Sequence, residues 1–236
     1  MPQPHSASQS VSQPVSPSTG VVVLHLFCHA NDSVDGDAIV AAVRGAEADG
    51  AQVVCAAMLG HKCDLAFMAL HTDMRLLRRL QTALQLAGLL VADSYVSITE
   101  VSEYAKTLPA EMLQPRLYPV LPPEGKHAFC FYPMSKRRDQ GANWFTLPFD
   151  ERSMLMHEHG KSGRTFAGRI VQLITASAGL DDYEWGVTLF GNHTDDIKDV
   201  VYTMRFDRAS AVFAEFGTFY VGVVTPVEEI GAELRA

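Results

Sequence analysis

No uninterrupted apolar stretch of about 18 residues occurs in the sequence, which excludes an evident membrane-spanning helix. The opening MPQPHSASQSVSQPVSPSTG lacks both a basic n-region and an apolar h-region, so the chain reads as cytoplasmic, without stable membrane insertion. An excess of positive charge is missing too. With 27 acidic against 19 basic side chains and a formal charge of −8, neither a nucleic-acid footprint nor a polybasic membrane surface is expected. Cysteine is scarce: Cys28, Cys55, Cys63 and Cys130 contain no CxxC pair, and three lie in or beside apolar runs, so disulfides are not expected. His61 and Cys63 come nearest to metal spacing, but two ligands fall short of a zinc site and the segment reads as a solvated loop.

What is present is a globular composition of 236 residues, 47% hydrophobic and 19% charged, enough for one large domain or two smaller ones. Residues 1–18 are rich in Ser, Gln and Pro and cannot offset their ordering entropy by burial, so they read as a disordered tail. From Val21 the pattern alternates: VVVLHLFCH as strand, DAIVAAVRGAEADG as helix, AQVVCAAMLG and LAFMALH as strands, TDMRLLRRLQTALQLAGLL as a helix capped by Thr72 or Asp73, and SYVSITEVSEY as strand. Five prolines between Lys106 and His127 mark a connection. The order then repeats in HAFCFYPMS, FDERSMLMHEHG, RIVQLITAS, YEWGVTLF, TDDIKDVVYTMRF and TFYVGVV. Two β-α-β-β-α-β units predict an α+β protein of two ferredoxin-like halves, residues 19–105 and 128–236, packed sheet to sheet and joined by a Pro-rich connection over 106–127.

The strand FCFYPMSKRR carries the most chemistry, because a period of two puts Cys130, Tyr132, Met134 and Lys136 on one face and Phe129, Phe131 and Pro133 on the other. An edge strand with an amphipathic Tyr and a snorkelling Lys has the same pattern. The helix FDERSMLMHEHG has Asp150 and Glu151 in its first turn and reads as ending at Gly160, which leaves His157 and His159 in its last turn. Two positions apart they point about 200° away from each other, so only one faces inward; Leu155 and Met156 favour His159, while Met154 gives His157 a comparable claim. A hydrogen-bonded core histidine and an axial ligand both remain open readings at this point. In RIVQLITAS, Gln172 lies between Ile170 and Ile174, a polar group in an apolar setting that must find a partner in the protein, a water or a ligand.

The strings FYPMSKRR, NWFTLP, ERSMLMHEHG, GLDDYEWGVTLF and VVYTMRFDRASAVFAEFGTF resemble the coproheme decarboxylases of the chlorite dismutase superfamily. The likeness runs from about Val21 to Val224 and is dense from Arg116 onward, with a two-residue insertion in PPEGKH. The resemblance implies a dimeric α+β barrel, a homopentameric ring and an iron porphyrin held by the C-terminal half. It implies His159 as the axial iron ligand, Tyr132 as the redox-active tyrosine, Met134 at the porphyrin edge and Lys136 at a reacting propionate. Gln172 matches the distal position, and Arg116, Ser210 and Tyr95 match propionate-binding positions. The implied reaction uses hydrogen peroxide to convert two propionates of Fe-coproporphyrin III (coproheme) to vinyl groups, giving heme b, with the porphyrin both substrate and redox cofactor. A transient contact with the preceding ferrochelatase is implied as well. A non-enzymatic heme or coproheme carrier, and chlorite dismutation on the same fold, are the alternatives. Dismutation requires an arginine where this chain has Gln172.

Overall fold

A computed structural model describes residues 14–106 and 108–234. Strand β1 (Val22–Ala30) is apolar at nearly every position because both its faces are buried: Leu24, Leu26 and Cys28 meet helices, while Val23 and Phe27 enter an inner core. Helix α1 (Gly36–Ala48) begins where the Asp35 carboxylate accepts from the Ala38 N–H, and α2 (Met74–Leu86) where Asp73 accepts from the Arg75 N–H. Between them run β2 (Gln52–Met58) and β3 (Leu65–His71). Gly88, at φ 95°, ends the α2 turn and sends the chain into β4 (Leu89–Thr99). This strand starts five residues before the expected Ser94 and stops at Thr99, so Glu100–Tyr104 is not strand.

The Pro-rich connection holds a helix, α3 (Ala110–Leu117). The second half contributes β5 (Ala128–Lys136), a short hairpin of β6 (Arg138–Asp139) and β7 (Ala142–Asn143), then α4 (Phe149–Arg164), β8 (Ile170–Ala176) and β9 (Trp185–Gly191). It continues with α5 (Thr194–Met204), α6 (Arg208–Ala211), β10 (Ala214–Phe216), β11 (Tyr220–Val224) and α7 (Ile230–Glu233). Helix α4 runs past Gly160 to Arg164, which corrects the expected stop. Glycine weakens a helix but ends it only where it adopts a left-handed conformation, and Gly160 does not.

The two sheets do not stay separate. Strands in the order β5-β11-β2-β3-β1-β4-β8-β9 are hydrogen bonded in sequence, and β9 pairs back onto β5, so the sheet closes into an α+β barrel. The halves join at two seams, Gly222 opposite Met58 and Ile98 opposite Ala176. Facing inner surfaces fill the interior with Val23, Phe27, Met68, Phe129, Phe131 and Phe190, and α1, α2 and α5 cover the outside. Closure removes sheet edges, so β5 is interior, flanked by β9 on one side and by β10 and β11 on the other.

Of the expected disordered tail, residues 1–13 lie outside the described residues. Residues 14–18 are placed against α2, where the Val15 carbonyl accepts from Met74 N–H at 3.0 Å and the Asp73 carboxylate accepts from Val15 N–H at 3.3 Å. No helix among the described residues is long and apolar enough to cross a membrane.

Candidate functional site

The period of two in β5 sorts its side chains as expected. Phe129 and Phe131 point into the barrel, whereas Cys130, Tyr132 and Met134 face the outer layer with Val187, Ile197 and Phe166. The Tyr132 ring is buried, stacked on Phe219 at 4.4 Å and meeting Phe216 edge-on at 5.7 Å. Burial raises its pKa above that of an ordinary phenol, against an opposing pull from the Arg205 charge. At the strand's end Lys136 is only 7% exposed. Its Nζ donates to the Ala209 carbonyl at 2.6 Å and sits 4.5 Å from the centre of the Trp144 ring. Burial pushes its pKa down to about 8, although Glu184 favours the charged form. Glu184 itself is buried; its carboxylate accepts the Lys136 backbone N–H at 2.9 Å and pairs with Arg138.

His159 lies on the inward side of α4, next to the fully buried Leu155, while His157 faces solvent. Its Nδ1 is 3.2 Å from the Asp207 carboxylate and 3.4 Å from the Ser210 hydroxyl, both brought in by the α5–α6 corner. Asp207 also accepts from Ser162 Oγ at 2.7 Å. Burial and the Lys136 charge lower the His159 pKa, and Asp207 pulls the other way, so the imidazole is held towards neutrality. Nδ1–H donating to a carboxylate leaves the Nε2 lone pair for a metal. A single imidazole backed in this way suits an iron whose remaining ligands come from a porphyrin.

Beside this group opens a cavity of about 880 Å³, within the size range of ligand pockets. Arg137, Arg205, Glu215, Ser210, Phe216 and Phe219 line it, with Tyr183. Arg137 is half-buried with its Nε 3.9 Å from the Glu215 carboxylate, and Arg205 stacks over Phe216 at 4.5 Å. Two guanidiniums outnumber the one carboxylate, and with a hydroxyl and aromatic walls they suit a flat apolar ligand that carries carboxylates. Sequence reasoning missed Asp207, Arg137 and Arg205, although all three lie inside the strings FYPMSKRR and VVYTMRFDRASAVFAEFGTF.

The structure therefore joins Tyr132, Met134, Lys136, His159 and Ser210, and sets three other candidates apart. Gln172 is on the same outer face of β8 as Ile170, which packs into the Tyr132 cluster, but it is half-buried and its neighbour Ile174 is 44% exposed. Its setting is open rather than closed. Tyr95 projects into the barrel interior against Phe131, on the opposite face of the sheet from Tyr132, and its hydroxyl pairs with Ser177. Arg116 is exposed on α3, donating to the Met112 carbonyl of its own helix at 3.1 Å. In the segment read as a solvated loop, His61 is exposed but Cys63 is buried in the inner core.

The chlorite dismutase family model matches residues 34–225. A heme-binding protein from Thermus thermophilus superposes with a TM-score of 0.82 at 34% identity, over 95% of this chain and 100% of that one. The chlorite dismutase of Candidatus Nitrospira defluvii in complex with imidazole gives 0.74 at 17% identity, over 93% and 97%, a likeness that carries the fold alone.

Proposed function

Because the chain belongs to the chlorite dismutase family, we propose that it is a heme-handling oxidoreductase, and specifically a coproheme decarboxylase that converts Fe-coproporphyrin III to heme b with hydrogen peroxide. The observation that carries the reading is a buried phenol, Tyr132, and a buried ammonium, Lys136, on one strand face, with His159 near enough to feel the Lys136 charge and a cavity lined by two arginines alongside. The heme-binding character of the 34% identical neighbour supports the porphyrin part of it.

The donor set fits an iron porphyrin with several carboxylates. His159 offers Nε2, Arg137 and Arg205 present guanidiniums to the cavity, and the hydrogen bond of Lys136 Nζ goes to a neutral carbonyl. When bound, the iron porphyrin supplies the redox centre at which peroxide is reduced. The chain's own residues then divide the work. Lys136 draws a propionate carboxylate to the end of β5, and its exchange of the Ala209 carbonyl for a carboxylate strengthens the bond. Tyr132 gives up its hydroxyl hydrogen and takes one from a propionate β-carbon. Phe216 and Phe219 keep water from the phenol while it does so. Each propionate leaves as carbon dioxide and a proton, with two electrons passing to one peroxide, and a vinyl group remains. Asp207 fixes the imidazole through Nδ1.

The test is mass spectrometry of the purified protein mixed with ferric coproporphyrin III and peroxide. Two successive losses, each of carbon dioxide and two hydrogens, are expected. A porphyrin that stays bound and unchanged would favour the carrier reading instead. Chlorite dismutation is disfavoured by the amide of Gln172, which cannot supply the cation that reaction requires.

A further inference from the structure

The segment covering Tyr132 is tied to the other half of the molecule. β10 and β11 both run beside β5, and residues 217–219 cross between them. Gly217 donates to the Pro133 carbonyl at 2.8 Å and packs so closely that a Cβ there would lie 2.7 Å from Pro133 Cγ and 2.8 Å from Tyr183 Cζ. This crossing brings Phe216 and Phe219 onto Tyr132.

Phe219 lines an apolar cavity of about 370 Å³ between α5 and β11, with Cys130, Ile197, Val201, Tyr202 and Val221, which leaves its ring room to swing. Two side-chain hydrogen bonds from the N-terminal half tie the crossing. Lys62, in the turn between β2 and β3, donates from Nζ to the Phe219 carbonyl at 2.5 Å. The next residue, Tyr220, turns through the sheet into the barrel, where its ring stacks on Phe27 at 3.7 Å and its hydroxyl donates to Asp93 of β4 at 2.6 Å. Burial and the Asp93 carboxylate both raise the Tyr220 pKa, so the phenol remains a donor.

We propose that Lys62 and Asp93 are positioning residues for Tyr132. Through the Phe219 carbonyl and the Tyr220 hydroxyl they hold the aromatic cover closed over the phenol. The N-terminal half, which contributes no side chain to the site described above, thereby sets how far water reaches the reacting tyrosine. The proposal deepens the decarboxylase reading and takes from it the role of Tyr132, but the ties themselves can be tested without porphyrin.

The ligand-free protein is treated with tetranitromethane, and nitration of each tyrosine is followed by peptide mass spectrometry. Tyr118, 46% exposed beside α3 and away from this cavity, is the internal reference. Lys62→Met and Tyr220→Phe each remove one hydrogen bond with little change in volume. Each is expected to speed nitration of Tyr132 by about threefold to tenfold, the factor a lost hydrogen bond supplies, with Tyr118 unchanged and Lys62→Arg restoring protection. Tyr132 rates within twofold of the unaltered chain in both variants, with unfolding transitions intact, overturn the proposal. So does an equal acceleration at Tyr132 and Tyr118, which reports general loosening. A Tyr132→Phe protein that still decarboxylates overturns the radical role and leaves the nitration result standing, so the two readings fail separately.

Discussion

At the scale of single residues, Tyr132 and Lys136 are both buried polar groups, and burial does opposite things to them. It keeps the phenol protonated and drives the ammonium towards neutrality. Tyr132→Phe keeps the ring contacts with Phe216 and Phe219 and removes only the hydroxyl hydrogen. It is expected to bind coproheme with an ordinary Soret spectrum and to leave all four propionates in place. Turnover at the unaltered rate would move the radical to another tyrosine. Lys136→Met separates stability from binding. The folded-state pKa is about 8 and the ordinary value 10.5, so between those pH values the unfolded chain holds a proton that the folded chain has released. Stability therefore rises with pH across that window, and the cost of the buried charge is fully present below pH 8. The variant is expected to be more stable at neutral pH by about 1 to 3 kcal/mol, an advantage that fades as the pH is raised to 10.5, read by chemical denaturation at several pH values. It should also bind the tetracarboxylate more weakly.

At the scale of elements, the orientation of α4 decides which of two histidines reaches the site. Leu155 buries, His159 follows it one turn later, and the α5–α6 corner supplies Asp207 to both His159 and Ser162. Asp207→Ala removes the acceptor of two half-buried donors. It is expected to cost about 1 to 3 kcal/mol in urea denaturation and to shift the Soret band of the bound porphyrin. His157→Ala should leave that band unchanged, and a shift seen only with His157→Ala would reassign the ligand. The spacing to Leu155 favoured His159 but left His157 a comparable claim through Met154, and the structure decides between them by leaving Met154 and His157 exposed. The length of α4 was not legible, because the contacts that carry it past Gly160 are made with residues more than forty positions away, as Ser162 with Asp207.

At the scale of the whole molecule, the halves share one closed sheet and one inner core, with Phe27 of the first touching Tyr220 and Phe131 of the second. Neither half has a complete interior of its own. Unfolding is therefore expected as one cooperative transition, with tryptophan fluorescence from Trp144 and Trp185 coinciding with circular dichroism. Two separated transitions would show that the halves fold independently. Gly222→Ala probes the seam, since a Cβ there meets the Ala57 carbonyl and Met58 across the β11–β2 pairing. It is expected to lower the melting temperature of the whole molecule rather than that of one half.

The sequence by itself determined the order of the principal strands and helices and the faces of β5. Those follow from periods of 2 and 3.6 residues, which are local. It also held the strings that identify the family. Only the tertiary structure decided which strands meet at the two seams of the barrel, that Tyr95 and Tyr132 lie on opposite faces of it, and that Arg116 stands at the surface. It alone brought Asp207 to His159 and Lys62 to Phe219. Such contacts join residues 48 and 157 positions apart; they depend on strand register and loop path, which no local period records.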